Sequence, residues 1–147
     1  MNYSLPRLFK NRGIIDLLKI FFFPIIILII DAFLDYYNIY QQITWIDIPM
    51  HFIGGITIGL SFSMLLIFLQ KKGYIGHMHE FVFFIFVISL VSLTALTWEF
   101  NEFALDLIDL KTRQTTIEDT MADLFLGLLG SCLGYLYSKS REHRPLW

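Results

Sequence analysis

The sequence predicts an all-α fold: a polytopic membrane protein, a bundle of four transmembrane helices with both termini in the cytoplasm. Three observations carry that prediction. Of the 147 residues, 56% are hydrophobic and the mean hydropathy is +0.61, outside the composition of soluble domains. The apolar residues gather into four continuous windows, residues 17–34, 46–69, 81–104 and 119–138. Each comes close to or exceeds the roughly 20 residues of helix that cross a hydrocarbon core, and none alternates as a membrane strand would. Finally, nine basic residues (Arg7, Lys10, Arg12, Lys19, Lys71, Lys72, Lys139, Arg141 and Arg144) fall on one side of this topology and two, Lys111 and Arg113, on the other. The positive-inside rule makes the richer side cytoplasmic.

In order along the chain, residues 1–16 read as a cytoplasmic leader. Leu5, Leu8 and Phe9 among basic residues suit a segment lying on the inner leaflet, and a solvated leader is the equal alternative. Ile30-Asp31-Ala32-Phe33 has no small-x-small cleavage pattern, so the first window is a retained span. Pro24 costs it a backbone hydrogen bond and kinks it. Asp31 and Asp35 share a face at its far end; Asp35 reads as solvated and Asp31, one turn deeper, stays open. Tyr36, Tyr37, Tyr40 and Trp45 form an interfacial aromatic belt in the first loop.

The second window opens at Asp47, with Pro49 tolerated in the first helical turn. Capping explains Asp47 as well as any function does, whereas His51, one turn further in, has no such role and is a functional candidate. Gly55 and Gly59, and later Gly127, Gly130 and Gly134, give helices two and four small-residue faces for close packing. These faces equally allow a homo-oligomer. Gly76-His77-Met78-His79-Glu80 lies in the cytoplasmic loop and reads as solvated rather than metal-binding. From the end of the third window onward, Glu99, Glu102 and Asp106 make one stripe. In the fourth, Thr116 to Asp119 has capping-box spacing, which accounts for Asp119 but not for Asp123. Residues 139–147 are a cytoplasmic tail, and the whole chain is one membrane domain. Cys132 stands alone and can neither staple the fold nor complete a cysteine metal site.

Ten of the thirteen acids fall at the non-cytoplasmic helix ends, which the positive-inside rule does not require. At about 2.5–3.5 kcal/mol for a charge at mid-helix, ionised Asp31, Glu99, Glu102 and Asp123 would cost on the order of 10 kcal/mol, lowered by their nearness to the ends. Protonation, a water-filled cavity, a basic partner or a bound cation would compensate, and the cation is the alternative that gives these residues a common role. Asp47, His51, Glu99, Glu102, Asp119 and Asp123 are the expected ligands, with Glu99, Glu102 and Asp123 as the catalytic candidates. Oxygen-rich ligation with one imidazole suits a divalent metal, with Zn, Mn, Fe and Mg all admissible.

The blocks Asp47-x-x-x-His51-Phe52, Glu99 with Glu102, and Asp119-x-x-x-Asp123 with Gly130 resemble those of the VanZ-like small membrane proteins and the related YjdF-type proteins of bacterial envelopes. Trp98-Glu99-x-x-Glu102 and Asp119-Thr120-Met121-x-Asp123 are more similar to the YjdF type. The chain departs from the VanZ-like pattern at Ile48, where Lys is frequent, and at Gly127, where Asn is common. The resemblance spans Asp47 to Gly134 and implies a cell-envelope setting, with glycopeptide-antibiotic tolerance in some members.

Three functions fit these residues: a metal-dependent hydrolase acting on a lipid-linked or envelope substrate at the outer leaflet, a proton- or cation-handling transporter, and a non-catalytic accessory membrane protein. Membrane lipid is the expected partner. Nucleic acid is not, because the basic residues are those that topology requires. No Ser or Cys stands with a paired base, which disfavours covalent catalysis.

Overall fold

A computed structural model describes residues 11–109, 113 and 116–141. The leader residues Leu5, Leu8 and Phe9, the basic residues Arg7, Lys10, Lys111 and Arg144, and Glu142 lie outside the described residues. The described chain is helical: α1 (Asn11–Ile20), α2 (Phe22–Tyr36), α3 (Ile39–Gln42), a turn of 3-10 helix at Thr44–Ile46, α4 (Asp47–Lys71), α5 (Glu80–Asp109) and α6 (Ile117–Arg141). Three stretches are long and apolar enough to cross a membrane: Thr44–Lys71, Glu80–Ile108 and Ile117–Arg141. A fourth crossing follows if α1 and α2, bent by 59°, count as one broken span.

That bend has an explicit cause. Pro24 has no N–H for the carbonyl of Ile20, and its ring crowds that carbonyl, so the helix breaks at Phe21, three residues before the proline. The freed carbonyl accepts a hydrogen bond from the Ser61 hydroxyl of α4 at 2.6 Å. A side chain 41 residues away thus replaces the missing ladder bond. At the other end of α2, Asn38 takes a left-handed conformation (φ 55°), which its short side chain tolerates, and turns the chain back so that Tyr40 lies over α2. Tyr36, Tyr37 and Trp45 remain exposed.

The tightest packing joins α4 and α6, which run parallel. A Cβ on Gly55 would fall 2.1 Å from the Gly127 carbonyl oxygen, and one on Gly59 2.6 Å from that of Ser131. A Cβ on Gly130 or on Gly134 would lie 2.2 Å from the carbonyl oxygen of Phe52 or Ile56 respectively. Only glycine permits backbones this close, and lipid supplies no hydrophobic drive to hold helices at larger spacing. The glycine faces are therefore occupied within the chain, each covered by the other. Gly127 differs from the rest, since its own Cβ would meet only the His51 carbonyl oxygen, at 4.0 Å.

α5 packs on both α4 and α6, and α2 packs on α4. The apolar core, Leu66, Ile67, Phe83, Val87 and Val91, fills the half of the bundle toward the α4–α5 loop. There Lys139 reaches Glu80 at 2.9 Å and tethers the end of α6 to the start of α5. Large apolar side chains such as Ile29, Phe81, Leu93, Phe100, Phe125 and Leu136 cover the outside of the bundle, as a bilayer requires.

Candidate functional site

The α4–α6 register builds the site. Gly55 stands opposite Gly127 and Gly59 opposite Ser131. The same register carried one turn toward the helix N-termini sets His51 opposite Asp123, and a further turn sets Asp47 beside Asp119. The His51 Nε2 lies 3.3 Å from Asp47 Oδ1 and 4.0 Å from Asp123 Oδ1. Asp47 can turn to the imidazole because it does not cap its helix: Ile46 holds the N-cap position with no side-chain bond, and Asp47 itself is helical.

α5 brings a second pair of acids to the same imidazole. Potential ligand atoms of His51, Glu99 and Glu102 lie within 4.8 Å of one another, and so do those of Asp47, His51 and Asp123. His51 is common to both groups. Glu99 is 4% exposed and Asp123 5%, a degree of burial that carboxyl groups rarely reach unless paired. The Trp98 indole N–H donates to Glu102 Oε1 at 2.9 Å and fixes that side chain from its own helix. Asp119 belongs to neither group. Its backbone N–H donates to Thr116 Oγ1 at 3.2 Å, the first half of the capping pattern, while its side chain lines a neighbouring cavity.

Three further acids have partners that helix periodicity alone did not identify. The Tyr40 hydroxyl donates to Asp31 Oδ1 at 2.5 Å, and burial together with that carboxylate holds the phenol above its ordinary range. Arg113 joins two helix ends: its guanidinium is 3.0 Å from Asp35 Oδ2 and 3.2 Å from Asp106 Oδ1, and its backbone N–H also donates to Asp106. Asp35 is thus an ion-pair partner rather than a solvated acid. The Trp98–Glu102 spacing of one turn was the available sequence signal for the indole contact; the other links cross between elements and leave no periodic trace.

Two cavities adjoin the cluster. One, about 550 Å³, is polar, with Asp31, Asp47, Tyr40, Glu102 and Arg113 in its wall. The other, about 260 Å³, is almost wholly apolar and lies between α2 and α5 over α4. Leu28, Asp31 and Trp98 line both. Away from all this, His79 at the start of α5 accepts a hydrogen bond from the Phe81 N–H at 3.3 Å, a local contact. Among the described residues no metal-competent group forms around His77 and His79. Cys132 is half-buried in α6.

Fold and site together define a small multi-pass helical membrane protein with a polar cluster set into its apolar spans. The chain belongs to the family described as predicted membrane protein (DUF2238), whose model matches residues 3–144. No curated protein and no solved structure matches it.

Proposed function

We propose that this protein is a metal-binding membrane protein of the cell envelope that acts as a metal-dependent hydrolase on a lipid-linked substrate. The observation that carries the reading is His51 shared between two carboxylate groups, each with its ligand atoms within 4.8 Å. Ligand atoms around an ion bonded at about 2.0–2.2 Å lie up to roughly 4.4 Å apart, so small side-chain adjustments close either group on a cation. Four carboxylates and one imidazole favour a hard or borderline divalent ion: Zn, Mn, Fe or Mg. When bound, such an ion supplies Lewis acidity and an activated water.

The chain's own residues supply the rest. Trp98 holds Glu102, Asp47 orients the His51 ring, and a carboxylate of Glu102 or Asp123 outside the coordination sphere can take a proton from the attacking water. The reading also takes the bent pair α1–α2 as one span, giving four crossings, both termini in the cytoplasm and the cluster at the extracytoplasmic side, on the nine-to-two division of basic residues. Kinship with the VanZ-like and YjdF-type proteins belongs to the same proposal. Transport is the weaker reading because Leu66, Phe83, Val87 and Val91 pack the opposite half of the bundle and no acidic path through it is seen among the described residues.

Elemental analysis of the purified protein tests the metal. About one divalent ion per chain is expected, lowered by His51→Ala, Glu99→Gln or Asp123→Asn and unchanged by His77→Ala. Wild-type protein that binds no metal near neutral pH, together with carboxylate variants more stable than it, would remove the hydrolase reading. Topology is tested separately in a Cys132→Ser background. Impermeant thiol reagents should mark Tyr40→Cys from outside intact cells and leave Lys71→Cys unmarked; the reverse pattern puts the cluster on the other side.

A further inference from the structure

We propose that the two adjoining cavities bind one amphiphile drawn from the bilayer, a lipid whose protonated amino head enters the polar chamber while its hydrocarbon chain fills the apolar one between α2 and α5. The inference rests on the cluster being a site for a membrane substrate, and it names the class of that substrate.

Size is the first argument. A water occupies about 30 Å³ of liquid, so the apolar cavity of about 260 Å³ corresponds to a chain segment, not to a lone water or an ion. The polar chamber alone, at about 550 Å³, falls within the range of roughly 300–1,000 Å³ typical of small-molecule sites.

The chemistry of the walls is the second. The apolar cavity has two threonines, and both hydroxyls are turned to their own helices: Thr57 Oγ1 donates to the Gly54 carbonyl and Thr94 Oγ1 to that of Leu90, each at 2.9 Å. Asp31 and His51 also stand in its wall, and beyond them the lining is almost wholly apolar, so hydrocarbon is the matching occupant away from those two groups. The polar chamber has Asp31, Asp35, Asp47, Glu102 and Asp119 in its wall, and Arg113 is the one basic side chain among the described residues that line it. Arg113 is already shared between Asp35 and Asp106. Charge complementarity therefore selects a cationic head and disfavours a phosphate, and the Tyr40 and Trp98 rings beside the acids add faces on which an ammonium group is attracted.

Leu28, Asp31 and Trp98 line both chambers, so one molecule can span them with its head among Asp47, Glu102 and Tyr40 of the polar chamber and its chain running past His51 into the apolar one. A divalent ion at the cluster has no use for the apolar arm.

The test uses full-length protein carrying Trp45→Phe and Trp147→Phe, which leaves Trp98 as the reporter. Brominated dodecylamine, dodecanol and dodecyl phosphate are titrated against it in micelles. Saturable quenching by the amine is expected, about tenfold tighter than by the alcohol or the phosphate. Gly54→Leu should abolish the saturable phase without unfolding the protein, because a Cβ there meets nothing nearer than Ile27 Cγ2 at 3.9 Å; Ala95→Leu does the same from the α5 wall if the first variant does not fold. Linear quenching equal for all three heads, as for lipid merely surrounding the bundle, overturns the proposal, and so does tighter binding of the phosphate. Titration before and after chelation separates this from the metal reading. Amine preference with no metal bound supports the site and removes the metal; bound metal with no amine preference does the reverse.

Discussion

Alanine in place of Gly130 should destabilise the protein, whereas alanine in place of Gly127, one turn earlier on the same helix, should stabilise it slightly. At Gly130 the new methyl would lie 2.2 Å from the Phe52 carbonyl oxygen and 3.0 Å from the Ile56 nitrogen. A carbon and an oxygen settle at about 3.3 Å or more, so α4 and α6 must separate by roughly 1 Å. A gap of that size forfeits a quarter to a half of the dispersion energy across it, and overpacking of this kind costs about 1–3 kcal/mol. The gain of about 0.5–1 kcal/mol from replacing a helical glycine offsets part of that. At Gly127 nothing stands within van der Waals range except the His51 oxygen at 4.0 Å, so the gain remains. Adding Gly134→Ala to Gly130→Ala should cost less than it does alone, because the first methyl has already opened the crossing. Reversible unfolding in mixed micelles, followed by far-ultraviolet circular dichroism, reads all three. A Gly130→Ala protein as stable as Gly127→Ala would refute the close crossing and, with it, the register that sets His51 opposite Asp123.

Ser61→Ala should cost about 1–3 kcal/mol, the penalty of leaving the buried Ile20 carbonyl without a donor. In a Pro24→Ala background, where the backbone N–H returns, the same change should cost much less; equal losses in both backgrounds, measured by the same unfolding assay, would sink the link. Arg113→Gln removes a guanidinium that is 9% exposed in its side chain and shared by two acids, so the loss should approach the 3–5 kcal/mol of a broken buried pair. Lys139→Ala, whose partner Glu80 is 61% exposed, should cost under about 1 kcal/mol, and equal losses for the two would refute the ranking.

Much of the helical framework could be read from hydropathy, because a bilayer demands uninterrupted apolar helix whatever the tertiary contacts. The acid and glycine spacings identified faces of individual helices, and those faces are the ones that meet in the structure. Periodicity within one helix carries no information about its rotation against another, however. Asp35 looked solvated until Arg113 of a distant loop was placed beside it, and Asp119, an expected ligand that capping explained equally well, stays out of the imidazole group that Asp123 reaches. The proline was visible, but the break falls at Phe21, since a proline disturbs the turn before it. Asp47 resembled a cap, yet the 3-10 turn at Thr44–Ile46 carries the chain into α4 already helical, and the carboxylate is left for His51.

The pairing of α4 with α6 also imposes an order on biosynthesis. When α4 leaves the insertion machinery its glycine strip faces lipid, and the 30 residues of α5 must be made and returned across the bilayer before α6 arrives. Until then His51 has Asp47 and the acids of α5 but not Asp123. Covering the strip and completing the cluster are one event, so a chain arrested before that point both lacks a carboxylate of the cluster and leaves a bare stretch of helix backbone open to the bilayer.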